Sequence, residues 1–131
     1  TPVIFYGGQT LSDLALKNRL EATGWEINFS TDDGSYGFRG LITQLVEEQL
    51  KKRKPAFLFG CGPEAMMARL AEICQLSNLP AEFSLESIMG CGLGACWGCV
   101  RKIKKGGEIK YLRICQDGPV FPAEEILWSG D

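Results

Sequence analysis

Four of the six cysteines in this 131-residue chain have a spacing that could support redox chemistry. Cys91, Cys96 and Cys99 form a C-x4-C-x2-C motif, and Cys115 follows after fifteen intervening residues. This is the plant-type spacing of the thiolates that hold a [2Fe–2S] cluster. The sequence therefore predicts a cluster-binding loop that ends at Cys99 and is completed by Cys115.

Glycines alternate with the other residues of this predicted loop. Gly90, Gly92, Gly94 and Gly98 allow positive φ angles and a close approach of the backbone to a ligand. A backbone curled in this way directs successive N–H groups inward, which suits an anionic centre. The glycine content thus favours a loop that wraps around a negatively charged cofactor.

Two other interpretations of the cysteines stay open at this point. A structural zinc ion also takes four cysteines, but such sites usually contain two short C-x2-4-C pairs, and this chain has one. Six cysteines could also form disulfides, although three within nine residues are awkward for bridges, and Cys61 and Cys74 lie in apolar surroundings.

Composition excludes several function classes. A formal net charge of −2 argues against a nucleic-acid-binding protein, and no apolar run is long enough to span a membrane. Histidine is absent, which removes imidazole ligands and His-based acid–base catalysis. Cysteines grouped for a metal rather than for bridges are typical of a reducing compartment, so we expect a cytoplasmic location.

The elements that must position these residues alternate between strands and helices up to residue 85. Strands are predicted at 2–6, 25–29, 56–59 and 81–85, and helices at 40–52, at 63–76 and from Thr10, where Asp13 completes a capping box. Strand–helix repeats of this length pair in parallel through right-handed crossovers. The expected fold class is α/β, with part of a parallel sheet that carries helices on both faces.

Two turn-forming loops follow predicted strands, where ligands bind in such sheets. Asp32 and Asp33 begin the first loop, after the second strand, and Gly60, Cys61, Gly62 and Pro63 form the other, after the third. No G-x-G-x-x-G motif accompanies them, so the pattern is only a weak indication of nucleotide binding.

Residues 86–131 differ in character from 1–85, and we predict a domain boundary between these segments. Two strands, at 99–105 and 108–113, flank Gly106-Gly107 as a hairpin that returns the chain toward the loop and delivers Cys115. Six cations and one acid lie between 101 and 113. They are a solvated strand edge that resists aggregation, a partial compensation of the charge of the cluster, or a contact face for an acidic partner. The ending, 123–128, is either a short helix or an extended tail.

The two segments together indicate electron transfer between different kinds of carrier. A nicotinamide gives up a hydride, whereas a [2Fe–2S] centre takes one electron at a time, so a flavin must stand between them. No flavin site is visible in this sequence.

At this point the chain resembles the iron–sulfur flavoprotein electron-transfer subunit of B-type dihydroorotate dehydrogenase, within the ferredoxin-reductase superfamily. The resemblance covers nearly the whole chain. Its blocks are Tyr6-Gly7-Gly8-Gln9-Thr10, Asp32-Asp33-Gly34-Ser35-Tyr36-Gly37, Gly60-Cys61-Gly62-Pro63-Glu64-Ala65-Met66, the cysteine motif, and Cys115-Gln116-Asp117-Gly118-Pro119-Val120-Phe121. The cysteine motif and the last block are specific in combination, whereas the first three blocks are shared across the superfamily.

The resemblance implies that NADH reduces FAD, that electrons pass through the [2Fe–2S] cluster, and that an FMN-containing catalytic subunit exchanges them with dihydroorotate in pyrimidine biosynthesis. It implies that Cys91 and Cys96 hold one iron and that Cys99 and Cys115 hold the other. It places 60–63 on the nicotinamide side, near the flavin, and Asp32 and Asp33 near the adenosine ribose. Trp97 would cover the cluster, face the partner or simply pack.

The chain departs from the family pattern in one respect. The flavin-binding barrel and the first glycine-rich turn of the nicotinamide domain should precede residue 1. We therefore expect a C-terminal fragment that binds no FAD and does not turn over alone. The alternatives are a related subunit that serves a hydrogenase or another reductase, and a zinc-stabilised interaction module.

Overall fold

The computed structural model describes residues 2–128, which divide between two compact units, Thr1–Lys54 and Pro55–Asp131. Each unit has its own strands and helices. The domain division predicted at 85/86 stays a prediction, and the second compact unit contains residues from both sides of it.

The first unit is built on a three-stranded parallel sheet. Its strands are β1 (Val3–Gly8), β2 (Glu26–Thr31) and β3 (Phe38–Arg39), in that order across the sheet. Val3 pairs with Glu26 and Gly8 with Thr31, so the carboxyl ends of β1 and β2 coincide. The helices are α1 (Lys17–Glu21) and α2 (Ile42–Lys52). Parallel pairing is confirmed here, and β3 is a short strand that sequence patterning missed.

The helix predicted from Thr10 is interrupted. Thr10 and Asp13 do form the capping box, but it caps a single 3-10 turn, Leu11–Asp13, and α1 starts four residues later. The chain leaves helical geometry at Leu14, where ψ is 55°. Leu14 is the one side chain of this segment that is buried, and it packs over Gly8 of β1. Burying it bends the chain, which divides the predicted helix in two.

The second unit contains a mixed sheet and a separate hairpin. The mixed sheet has the order β4 (Leu58–Cys61), β5 (Ala81–Ser84), β8 (Val120–Pro122), with β4 parallel and β8 antiparallel to β5. The hairpin consists of β6 (Val100–Lys105) and β7 (Glu108–Arg113). The helices are α3 (Glu64–Leu76) and α4 (Ile114–Asp117).

Three details of this unit differ from the sequence expectation. Pro63 is the N-cap of α3 and not its first residue. The segment around Val120, expected to be only turns, contains β8, because Phe121 is buried opposite Phe83 of β5. The ending forms one 3-10 turn, Ala123–Glu125, and 129–131 lie outside the described residues.

Phe83 is the centre of the core of the second unit. Its side chain is fully buried, the ring of Trp128 meets it edge-on at 5.6 Å, and Phe121 lies opposite on β8. On the neighbouring strand β4, a Cβ at Gly60 would come within 2.6 Å of the Phe83 ring. Glycine at position 60 is therefore required by packing as well as by the loop that follows. No helix among residues 2–128 is long and apolar enough to cross a bilayer.

We expect Phe83→Ala to lower the free energy of unfolding by about 3–5 kcal/mol, because it removes a fully buried ring and leaves a cavity. Phe59→Ala is the matched control, since Phe59 is 75% exposed, and it should cost less than about 1 kcal/mol. Urea unfolding followed by circular dichroism measures both changes. Equal losses in the two variants would contradict this description of the core.

Burial raises the pKa of the Cys74 thiol to about 11. Because the thiolate is the reactive form, we expect iodoacetamide at pH 8 to leave Cys74 unmodified in the folded protein and to modify it after unfolding. The exposed Cys61 is the internal control for reagent access. Because its pKa is raised on folding, the neutral thiol also contributes to the free energy of unfolding. This contribution is complete below about pH 9, the ordinary pKa of the thiol, and is lost as the pH rises toward 11. Peptide mass spectrometry that finds Cys74 labelled as fast as Cys61 would refute the burial.

Candidate metal centre and neighbouring loops

Cys99 and Cys115 are brought together by the register of the hairpin. Val100, the first residue of β6, pairs with Arg113, the last residue of β7, so the residues just outside the hairpin lie at one end of it. The N–H of Ile114 donates to the carbonyl of Cys99 at 3.1 Å and extends this pairing. The two sulfur atoms are 3.3 Å apart. The hairpin pattern predicted that the chain returns Cys115 toward the loop, and the structure places Cys115 beside Cys99.

Cys91 and Cys96 are organised by the backbone of the loop itself. The N–H groups of Leu93 and Cys96 both donate to Cys91 Sγ at 3.4 Å. The N–H of Gly98 donates to Cys96 Sγ at the same distance. The loop therefore turns its donors toward sulfur, as the glycine pattern predicted.

These hydrogen bonds change the acidity of the thiols. The N–H groups of Leu93 and Cys96 stabilise the thiolate and lower the pKa of Cys91 to about 6. The pKa of Cys99 is lowered, chiefly by a hydrogen bond from the backbone of Cys115. The pKa of Cys115 is raised, chiefly by the side-chain hydrogen bond that it shares with Cys99. The thiolate is the form in which cysteine binds metals, and of these thiols Cys91 is the one whose pKa is lowered to about 6.

The four thiols fit the donor set of an iron–sulfur cluster. They lie as two pairs, Cys91 with Cys96 and Cys99 with Cys115, joined by the contacts given above. Within residues 2–128, no group of three or more potential ligand side chains surrounds one common point. Two pairs are the arrangement in which two irons could each take two thiolates.

Arg113 connects the cysteine loop to the hairpin. Its Nη1 donates to the carbonyl of Gly94 at 3.0 Å, and its guanidinium lies 4.9 Å from the centre of the Trp97 ring. Asp117 holds it in place, accepting from its backbone N–H at 2.8 Å and from Nε at 3.3 Å. Gly94 has φ +77° and is buried, and a Cβ there would overlap the side chain of Gln116. One arginine thus fixes both ends of the segment 94–97.

Trp97 is held in an unusual conformation for a residue with a side chain. Its φ is +59°, and its side chain is 56% exposed. Left-handed geometry for a bulky residue costs free energy and persists only where the surroundings impose it. Of the roles expected for Trp97, interior packing is therefore the one that its exposure does not support.

The loop at 60–63 borders a cavity of about 330 Å³ in the second unit. The cavity is lined by Gly62, Pro63, Glu64, Met67, Glu86 and Arg101. Arg101 and Glu64 form an ion pair across it at 2.5 Å, and the Cys61 thiol lies 3.8 Å from a carboxylate oxygen of Glu86.

Sequence patterning identified the loop but missed its charged partners. Glu86 follows a predicted strand directly, so the rule that ligands bind at the carboxyl ends of strands could have identified it. No sequence pattern pointed to Arg101, because its place at the cavity depends on how the hairpin folds.

Asp32 and Asp33 lie in the first unit, at the carboxyl edge of β2. The N–H of Asp32 donates to the carbonyl of Gly8, which places this loop beside the end of β1. The Asp33 carboxylate accepts from the N–H of Ser35 at 2.9 Å. Hydrogen bonds from Ser35, side chain and backbone, lower the pKa of Asp33. The Ser35 hydroxyl in turn accepts from the N–H of Leu11. Asp33 therefore shapes the loop, and Asp32 is exposed.

Because Arg113 fixes the loop at two points, we expect Arg113→Gln to speed the release of bound iron to a chelator by about tenfold. This corresponds to the loss of a charged hydrogen bond and a cation–π contact. Acrylamide quenching of tryptophan fluorescence should increase in the same variant. Lys110→Gln, an exposed change on the same hairpin, is the control and should leave both quantities unchanged. Iron release at the wild-type rate from Arg113→Gln would show that the loop does not depend on this side chain.

The family model and the related proteins that match this chain point to the same family. The family model for the iron-sulfur cluster binding domain of dihydroorotate dehydrogenase B matches residues 86–127. The electron transfer subunit of dihydroorotate dehydrogenase B (NAD(+)) from Desulforamulus reducens is 42% identical over 104 residues, 79% of this chain and 40% of the relative. That of Caldanaerobacter subterraneus is 42% identical over 113 residues, 86% of this chain and 44% of the relative. The chain thus spans less than half the length of these relatives.

A solved structure agrees with the fold. It is the structure of an NADH-dependent reduced ferredoxin-NADP oxidoreductase, a protein of flavin-based electron bifurcation. It matches 96% of this chain and 53% of its own, with a TM-score of 0.70 and 25% identity. The predicted α/β fold of the ferredoxin-reductase type is confirmed. Residues 86–127 belong to the family of iron–sulfur cluster binding domains of dihydroorotate dehydrogenase B, and the chain as a whole is related to that enzyme's electron transfer subunits.

Proposed function

We propose that this chain is part of an electron-transfer subunit that passes electrons from NADH, through FAD and a [2Fe–2S] cluster, to the FMN-containing catalytic subunit of a dihydroorotate dehydrogenase. The observation that carries the proposal is the pair Cys99 and Cys115, distant in sequence and 3.3 Å apart, beside a loop that directs N–H groups at Cys91. The family match over 86–127 supports the same assignment.

In this proposal Cys91 and Cys96 hold one iron, and Cys99 and Cys115 hold the other. When bound, a [2Fe–2S] cluster accepts and donates single electrons. The chain's own residues fix the thiolates and supply the hydrogen bonds to sulfur that tune such a centre. The lowered pKa of Cys91 keeps that ligand ionised near neutral pH, which favours metal binding over protonation.

The other loops are proposed nucleotide contacts. Gly60, Cys61, Gly62 and Pro63 lie on the nicotinamide side, where the cavity beside Gly62 and Pro63 provides space. Asp32 and Asp33 lie near the adenosine ribose, with Asp32 as the direct acceptor, because the Asp33 carboxylate already accepts from Ser35. The whole reaction, in pyrimidine biosynthesis in the cytoplasm, is assigned to the complete subunit with its partner, and these 131 residues alone are not expected to turn over.

A second candidate function is a related iron–sulfur flavoprotein subunit that serves another reductase or a hydrogenase. The structural similarity to an NADH-dependent reduced ferredoxin-NADP oxidoreductase favours it, because that match covers nearly the whole chain. The curated relatives favour the dihydroorotate dehydrogenase over this alternative, since their identity to the chain is higher.

We expect Cys96→Ser to abolish or severely reduce cluster binding, because a hydroxyl does not replace a thiolate on iron. Cys61→Ser is the matched control, since Cys61 is an exposed cysteine outside the motif, and it should retain full iron and sulfide content. Anaerobic iron and sulfide counts, visible absorbance and EPR after dithionite are the measurements. A colourless, zinc-containing protein would instead support the interaction-module alternative, because zinc sites are d10.

The partner is tested by mixing the cluster-loaded chain with purified FMN-containing catalytic subunit and measuring association by sedimentation. We expect a stable complex. Binding to a different flavoprotein reductase or hydrogenase, with none to the dihydroorotate dehydrogenase subunit, would favour the second candidate.

A further inference from the structure

One face of the β6–β7 hairpin carries cations and exposed apolar side chains together. Residues directly opposite each other in an antiparallel pair lie on the same face, so the register of the hairpin determines which side chains belong to this face. This set, which we call the hairpin face, consists of Val100, Lys102 and Lys104 on β6 and Ile109, Tyr111 and Arg113 on β7. The opposite face contains the fully buried Ile103, so the hairpin face is the side away from the core.

Large apolar side chains on this face are open to solvent. Ile109 is 60% exposed and Tyr111 is 58% exposed, although each lies in a regular strand. Trp97, stacked on Arg113, continues the face toward the cysteine loop. Tyrosine, tryptophan and arginine are the residues most often found at the centres of protein interfaces. Exposed apolar side chains that are grouped in one patch mark an interaction site.

The charge on this face has one sign. Lys102 and Lys104 lie directly opposite Tyr111 and Ile109, and within residues 2–128 neither lysine forms an ion pair. Arg113 is compensated by Asp117. The pairing places Glu108, the hairpin's one acid, opposite Lys105 on the other face. The chain as a whole has a net charge of −2, so this cationic face is not a consequence of overall composition.

We propose that the hairpin face, together with Trp97, is the docking surface for an acidic surface of the electron-accepting catalytic subunit. The inference rests on the proposed function and names the surface and the chemistry of its partner. Lys102 and Lys104 steer the approach of a negatively charged surface, and Tyr111, Ile109 and Trp97 provide the apolar contact that slows dissociation. The face begins with the Val100–Arg113 pair, at the end of the hairpin that holds Cys99 and Cys115, and extends toward the Gly106-Gly107 turn. Docking along it places the partner next to the proposed cluster at that first pair.

The test uses the cluster-loaded chain and the purified catalytic subunit. The variant is Lys102→Glu with Lys104→Glu. The control is Lys51→Glu with Lys52→Glu, which makes the same change in net charge at the exposed end of α2 in the first unit. Association and dissociation rates are measured at several salt concentrations, after iron content and circular dichroism have shown that each variant folds and binds the cluster.

We expect the hairpin variant to associate at least about tenfold more slowly and to lose most of the salt dependence, whereas the control changes less than about twofold. Tyr111→Ala should mainly accelerate dissociation, because it removes contact area rather than charge. Lys110→Ala, on the opposite face of the hairpin, is the matched control for that change.

Several results would overturn the inference. If the unmodified chain and the hairpin variant both bind the subunit with equal affinity, the docking surface is refuted and the proposed function stands. Failure of the unmodified chain to bind the subunit would refute both. If the substitutions changed only self-association of the chain, the lysines would be strand-edge protection. If they abolished tight binding of a short single-stranded RNA and left subunit binding unchanged, the face would be a nucleic-acid surface.

Discussion

The main physical demand on this structure is to hold four thiols close together in one small region. Thiolates repel one another, and the deprotonated state that binds metal is stable only where donors face the sulfur atoms. The chain meets this demand locally at Cys91, which accepts from two N–H groups of its own loop. Over a longer distance, the hairpin register returns Cys115 to Cys99, and a hydrogen bond from the Cys115 backbone lowers the pKa of Cys99.

The hairpin is itself held by the core of the second unit. Ile103 of β6 is completely buried and forms an isolated bridge with Ile126, near the end of the described chain. Arg101, also on β6, pairs with Glu64 at the start of α3. The cysteine segment and the loop at 60–63 are therefore parts of one compact unit, although residues 86–127 match a family of their own. A substitution in either loop therefore affects the packing of the same unit.

Electrostatics divides the surface near the cysteines into distinct parts. Backbone N–H groups face the sulfur atoms, Arg113 links the loop to Asp117, and Lys102 and Lys104 lie on the outer face of the hairpin. Each uses positive charge in a different way: the N–H groups stabilise thiolates, Arg113 fixes a loop, and the lysines attract a partner in the docking surface that we propose. Six of the 14 lysine and arginine residues lie between 101 and 113, although the chain as a whole has a net charge of −2.

The sequence by itself determined the cysteine spacing, the glycine-rich loop, the hairpin with its Gly106-Gly107 turn and the parallel strand–helix pattern. These follow from local rules, since turn chemistry, hydrophobic periodicity and ligand spacing are all written in short segments. Only the tertiary structure decided the break at Leu14, the strand around Phe121, and the places of Glu86 and Arg101 at the cavity. Each of these depends on which distant residue is available to pack against, as Phe121 depends on Phe83 and Arg101 on Glu64. Contacts between residues far apart in the chain leave no local pattern to read.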